Sequence, residues 1–153
     1  MLDSIDLNIL KALDKNARSK VSDISKVVGL SIPAVSERLK KLEETGVIDN
    51  YGVRVNRKKL DFRLLAIVFV NIDHSLNIES FRKNIVSFPE VLECHHMAGE
   101  YDYMLKVLLE DTEELESFIS HKLKTIKGVQ KSNTLISLST LKEEQNRLKE
   151  VTL

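Results

Sequence analysis

The chain has 153 residues, 42% of them hydrophobic, with 23 Lys/Arg balancing 23 Asp/Glu, so it has room for one ordinary domain or two small ones. No apolar run approaches the ~18 residues that suggest a membrane span, the N-terminus lacks the basic-then-apolar layout of a signal peptide, and one cysteine excludes an internal disulfide. A reducing cytoplasmic setting is therefore expected. The neutral balance hides a split: residues 1–61 hold 12 basic against 9 acidic side chains, and residues 62–153 hold 11 against 14. The basic half suits a polyanion and the acidic half some other partner.

In chain order, Leu2 to Ala17 reads as a helix capped by Asp3 or Ser4, with Ile5, Ile9, Ala12 and Leu13 inward. A short helix follows with Ile24, Val27 and Val28 as its apolar stripe, and Gly29 stops it in the left-handed region open to glycine. Ser31 caps the next helix and Pro33 fits its first turn, where the missing N–H is harmless. Val35, Leu39 and Leu42 face the core. The opposite side offers Ala34, Glu37, Arg38 and Lys41, with Ser31 and Pro33 at the leading end. Such a small, polar and cationic face on a capped helix suits base edges and phosphates, and the pair of helices reads as a helix-turn-helix for a DNA major groove. Gly46 ends the helix. Val47-Ile48 and Tyr51 to Val55 read as a two-stranded wing turning at Asp49-Asn50, with Gly52 just beyond. Arg54 on that wing is a candidate phosphate contact. A plain solvated helix face is the competing reading.

Residues 56–61 read as a linker between a DNA-binding domain at 1–55 and a second domain at 62–140. In that second part, Arg63 to Ile72 is a strand, Ile78 to Phe88 a helix stopped by Pro89, and Val91 to Ala98 with Tyr101 to Glu110 a hairpin turning at Gly99-Glu100. Thr112 to Ile126 is a helix with Leu115, Phe118, Ile119, Leu123 and Ile126 inward, and Val129 to Ser139 is a last strand. The order βαββαβ is ferredoxin-like, which makes the chain an α+β protein with a winged helix-turn-helix in front. Residues 141–153 read as a tail helix carrying Leu141, Leu148 and Val151. The first strand is apolar on both faces, Leu64, Ala66, Val68 and Val70 on one and Leu65, Ile67 and Phe69 on the other. Strands of that kind are covered on both sides, so an obligate dimer packed sheet to sheet is expected.

Three segments, I-D-L-N-I-L at 5–10, V-G-L-S-I-P-A-V-S-E-R-L-K-K-L-E at 28–43 and E-C-H-H-M-A-G-E-Y-D-Y-M-L-K at 93–106, resemble the leucine-responsive regulatory protein/AsnC family, the feast/famine regulators of bacteria and archaea. The resemblance implies a cytoplasmic, nucleoid-associated transcription regulator and not an enzyme. It implies double-stranded DNA as partner, assembly as dimers and octamers (tetramers of dimers), no cofactor, and an amino-acid effector bound between dimers. The effector loop of such proteins matches Met97, Ala98, Gly99, Glu100, Tyr101 and Asp102. Within it, Gly99 permits a sharp turn whose N–H groups suit a carboxylate, Glu100 or Asp102 suits an ammonium, and Tyr101 supplies an aromatic wall. Glu100 stands where the family has Asp. A bare hairpin turn with solvated acids is the other reading of the same residues.

Three further readings carry less. Cys94-His95-His96 places at most two ligands on one face of a strand, short of a zinc set. An enzyme on the βαββαβ scaffold would need a nucleophile, P-loop or dinucleotide motif that the sequence lacks. A ligand-independent architectural DNA-binding protein shares every feature except the effector loop.

Overall fold

A computed structural model describes residues 2–149. The chain forms two compact units, one of residues up to 55 together with the chain from 142 on, the other of residues 56–141.

The first unit packs three helices, α1 (Ser4–Lys15), α2 (Val21–Val28) and α3 (Ile32–Glu44). Asp3 caps α1 in a reciprocal box: its carboxylate accepts the Asp6 N–H at 2.8 Å, and the Asp6 carboxylate accepts the Asp3 N–H at 3.1 Å. Gly29 ends α2 at φ 70°, and Ser31 Oγ accepts the Ala34 N–H at 3.4 Å to start α3. Ile9, Ile24, Val35 and Leu42 are buried at the centre of the three helices, with Leu13, Val28 and Leu39 packed on them. The helix-turn-helix is thus built as its turn residues and most of its apolar spacing dictate; Val27, expected in the α2 stripe, is instead 71% exposed, because α2 packs through Ile24 and Val28 and the 100° step from Val28 turns Val27 outward.

The expected ribbon after α3 is absent among the described residues: 47–55 form no strand. The N–H groups of Val47 and Ile48 both turn back to the Leu42 carbonyl, at 2.9 and 3.0 Å. They close the helix end, and both donors of the expected first strand are thereby taken from a ladder. Tyr51 folds over α3 and donates to Glu43 Oε1 at 2.8 Å. Partial burial and that carboxylate push the Tyr51 phenol up to about 12. The tail differs from expectation too. Residues 141–149 are not helical, Leu141 is 97% exposed, and Asn146 donates to Asp14 of α1 at 2.7 Å. Leu141 and Leu148 alone give so short a segment too little apolar surface to hold a helix; Val151 lies outside the described residues.

In the second unit the sheet runs β2-β3-β1-β4, all antiparallel, with β1 (Leu64–Ile72), β2 (Val91–His96), β3 (Tyr103–Leu109) and β4 (Val129–Ile136). Helices α4 (Ile78–Ile85) and α5 (Thr112–Ser117) complete the βαββαβ order. The stretch at 56–61 is less a plain linker than a capped turn. Asn56 accepts from the N–H groups of Lys58 and Lys59, Arg57–Leu60 is a 3₁₀ turn, and Asp61 ends it at φ 62°. Along β1, Leu64, Ala66, Val68 and Val70 are buried against Phe81, Ile85, Leu115, Phe118 and Leu123. Leu65, Ile67 and Phe69 lie on the other face and are half-buried. There they stand beside Leu108, Lys106 and Met104 of β3, and Leu135 pairs with Ile67.

The second helix does not run regularly to Ile126. After α5 it widens into a π-type turn at Phe118–Lys122 and tightens into a 3₁₀ turn at Leu123–Thr125. Phe118 and Leu123 are five residues apart, a spacing that regular α-helix would rotate off one face and that a wider turn keeps aligned. The hairpin is also longer than two residues. The final ladder pair is His96 with Tyr103, so residues 97–102 form the connection, closed by the Met97 N–H bonding to the Asp102 carbonyl at 2.8 Å.

Candidate nucleic-acid interface and effector loop

A helix turns about 100° per residue, so burying Val35, Leu39 and Leu42 fixes what α3 shows to solvent. Pro33, Glu37, Lys40 and Glu44 point straight outward, with Ser36 on one flank and Ala34 and Lys41 on the other. Ser31, Pro33, Ser36, Glu37, Lys40 and Lys41 are exposed and Ala34 is half-buried. Ser36 and Lys40 join this face beyond the residues expected from sequence; the rotation of the apolar stripe was the signal that locates them. Lys40 lies 3.6 Å from Glu44 in an exposed i, i+4 pair.

Arg38 is placed differently. Its Nη1 donates to Asp3 Oδ2 and Asp6 Oδ1, both at 2.7 Å, and the Asp6 side chain is only 15% exposed. The Asp6 N–H, and then Arg38, hold the Asp3 carboxyl below its usual range, while donating to Asp6 and then to Asp3 pushes the guanidinium up. Asp3, Asp6, Ala34, Glu37, Arg38 and Lys41 line one open polar groove, in which three acids face two bases. Arg54 sits 3.9 Å from Glu143 on the exposed chain after α3.

The 97–102 loop is tied down from β1. Asn71 Oδ1 and the Val70 carbonyl accept the Asp102 N–H at 3.0 and 3.1 Å, Asn71 Nδ2 donates to the Glu100 carbonyl at 3.1 Å, and Asp102 Oδ2 accepts the Ile72 N–H at 2.8 Å. One carboxylate oxygen of Asp102 is therefore engaged in holding the loop. Gly99 does not adopt a positive φ and nothing crowds its missing Cβ, so the turn here is not one that only glycine can make. Met97, Ala98, Gly99 and Glu100 are exposed and Tyr101 is half-buried. The Tyr101 ring packs 5.2 Å from Phe69. Lys131 of β4 stands 5.3 Å over the Tyr101 ring and 3.5 Å from Glu100. Asn71 and Lys131 come from strands far apart in sequence, and only the sheet register brings them to the loop.

The Cys94-His95-His96 run splits as a strand must. His95 Nε2 lies 3.1 Å from Glu93, which also accepts from Lys106 Nζ at 3.0 Å. His95 first and Lys106 second hold the Glu93 carboxyl below its usual range. Burial pushes the Cys94 thiol up. The His96 ring stacks 5.1 Å from Tyr103, whose hydroxyl accepts from Arg82 Nε at 2.8 Å. Among the described residues no three His, Cys, Asp or Glu side chains gather as a metal site, and no helix is long and apolar enough to cross a membrane.

Residues 2–49 match a winged helix-turn-helix DNA-binding domain, and residues 65–147 match an Lrp/AsnC ligand-binding domain. The chain is 36% identical to an uncharacterised HTH-type transcriptional regulator of Pyrococcus furiosus, across 94% of this chain and 97% of that one. It is 35% identical to the leucine-responsive regulatory protein of Haemophilus influenzae, across 93% and 87%. In three dimensions it is similar to a transcriptional regulator of Neisseria meningitidis solved as its L-Met complex, with a TM-score of 0.91 and 30% identity over 94% of each chain.

Proposed function

The chain belongs to the Lrp/AsnC family of transcriptional regulators, and from that premise we propose that it reads a specific double-stranded DNA sequence with α3 and responds to an amino acid at the 97–102 loop. The observation that carries the reading is the pairing of a capped helix showing Ser31, Pro33, Ala34, Glu37, Lys40 and Lys41 to solvent with an ion-paired, aromatic cluster at the loop. Arg54, exposed after α3, adds a phosphate contact. Base edges in the major groove are read by short polar side chains, while lysines neutralise phosphates.

At the loop, Lys131 and Glu100 carry the two charges that a zwitterionic amino acid needs, and Tyr101 with Met97 supplies apolar wall. The bound L-Met of the Neisseria meningitidis relative supports that ligand class. An incoming α-carboxylate would take Lys131 and an α-ammonium would take Glu100, replacing their mutual pair. Asp102 braces the loop from below, and Ala98 and Gly99 leave room above it. The apolar second face of the sheet is covered by a second copy, and dimers associate further into an octamer. Ligand binding can change that assembly only through its different affinity for the two states, a coupling of about 1–3 kcal/mol.

Binding of the full chain to a duplex of its own upstream region tests the helix assignment. Glu37→Ala alters sequence preference, and Lys40→Ala or Lys41→Ala lowers the slope of log affinity against log salt by about 0.9 for each phosphate no longer neutralised. Unchanged binding in all three variants contradicts the assignment. At the loop, Glu100→Ala keeps DNA affinity and abolishes the amino-acid response; a response that survives contradicts that part of the reading.

A further inference from the structure

Arg38 differs from the lysines of α3 in that two carboxylates already hold its charge. One nitrogen, Nη1, donates to both acids of the α1 capping box, each at 2.7 Å. The side chains of Arg38, Asp3 and Asp6 are 31%, 48% and 15% exposed, so the bridge is partly shielded from water. Two acids on one base leave the cluster at −1, and Glu37 and Lys41 on the same groove leave that total unchanged. A phosphate approaching Arg38 would meet net negative charge and would have to displace Asp6.

The same bonds do something else. The first turn of α1 is fixed by its own capping box, and Arg38 lies in the middle of α3. The bridge therefore sets the rotation and tilt of α3 against α1, in addition to the packing of Ile9 with Val35 and Leu42. We propose that Arg38 is a positioning residue for sequence readout: through Asp3 and Asp6 it holds α3 at the angle that aims Pro33 and Glu37 at base edges, and it does not itself bind phosphate. This rests on α3 being the recognition helix. Direct readout tolerates little misplacement of a side chain, whereas backbone binding tolerates a good deal. Loosening the bridge therefore reduces discrimination between sequences more than it reduces binding.

The test compares the full chain with Arg38→Gln, Arg38→Lys and Asp6→Asn on two probes of equal length, a duplex of its own upstream region and a random-sequence duplex, each across a salt series. A positioning role predicts that all three variants lower the ratio of specific to random affinity by about tenfold with the salt slope unchanged, since a tenfold loss needs only about 1.4 kcal/mol. Arg38→Lys keeps the charge and the fold while removing the fixed guanidinium geometry. It falls with the others if geometry matters. A phosphate contact predicts the opposite pattern. Arg38→Gln would then weaken both probes alike and remove about 0.9 from the slope, Arg38→Lys would be near wild type, and Asp6→Asn would leave the ratio intact or strengthen binding. That pattern overturns the proposal. Glu37→Ala, Lys40→Ala and Lys41→Ala are run alongside: if none of them changes either probe, the recognition-helix reading has failed, which is a different result from failure of the Arg38 proposal.

Discussion

At the scale of single residues, two positions carry more structural demand than their chemistry suggests. Gly128 has φ 94°, and a Cβ there would lie 2.4 Å from the Asn77 Cβ. Its carbonyl also accepts the Asp73 N–H at 2.9 Å, so the loop cannot simply move aside. Gly128→Ala is expected to cost about 2–4 kcal/mol in a urea unfolding curve, from backbone strain plus overpacking; a cost below about 0.5 kcal/mol would show that the loop relaxes freely. Asp3 gives a pH signature. Its carboxyl is held below the ordinary 3.8 by the Asp6 N–H and then by Arg38. A group depressed in the folded state stabilises fully above its unfolded value, and that contribution disappears as pH falls through the lower folded value. Asp3→Asn therefore flattens the acid limb of the urea midpoint plotted against pH, at pH values below about 4. An acid limb identical to wild type would mean that the capping box contributes nothing to acid stability.

At the scale of elements, much was legible because local chemistry settles it. Ser31, Pro33, Gly29 and Gly46 fix the start and stop of α3 and the end of α2, and no distant residue needs to be known for that. Ser31→Ala is accordingly expected to cost about 1 kcal/mol in thermal or chemical unfolding, and an unchanged midpoint would place the cap's contribution elsewhere. Three elements were not legible. The ribbon after α3 fails because Val47 and Ile48 bond to Leu42, a competition between helix closure and strand pairing that propensity alone does not resolve. The break after α5 depends on Phe118 and Leu123 both reaching one core, visible only once β1 and β3 are in place. The tail offers apolar residues at helical spacing but too few to hold a helix. The candidate sites divide the same way. The α3 face follows from the apolar stripe, while Arg38's bridge to α1 and Lys131's approach to Glu100 depend on tertiary register that sequence spacing does not encode.

At the scale of the whole molecule, the charge split and the two-faced sheet point the same way. The basic N-terminal half meets DNA, and the acidic half carries Leu65, Ile67, Phe69, Leu108 and Leu135 on the sheet face opposite the one packed by its own helices. Burial of apolar surface on association stabilises by about 25 cal/mol per Å² before the costs of ordering, and a charge set in the middle of the face removes much of that gain. Lys106, beside Ile67 on this face, is already paired with Glu93, so Ile67→Lys adds a cation with no acid to meet it and is expected to give folded monomers in size-exclusion chromatography with light scattering, with an unchanged mass as the contrary result. In the proposed dimer two copies of α3 would share one DNA, which raises effective concentration without new interactions. In the proposed mechanism, DNA binding by this chain answers to an amino acid. Its most direct test is fluorescence-anisotropy titration of the full chain onto a duplex of its own upstream region, repeated with each common amino acid. The expected result is tight, salt-sensitive binding whose midpoint moves with one or a few amino acids. Tight binding that none of them moves, or no binding at all, would contradict it.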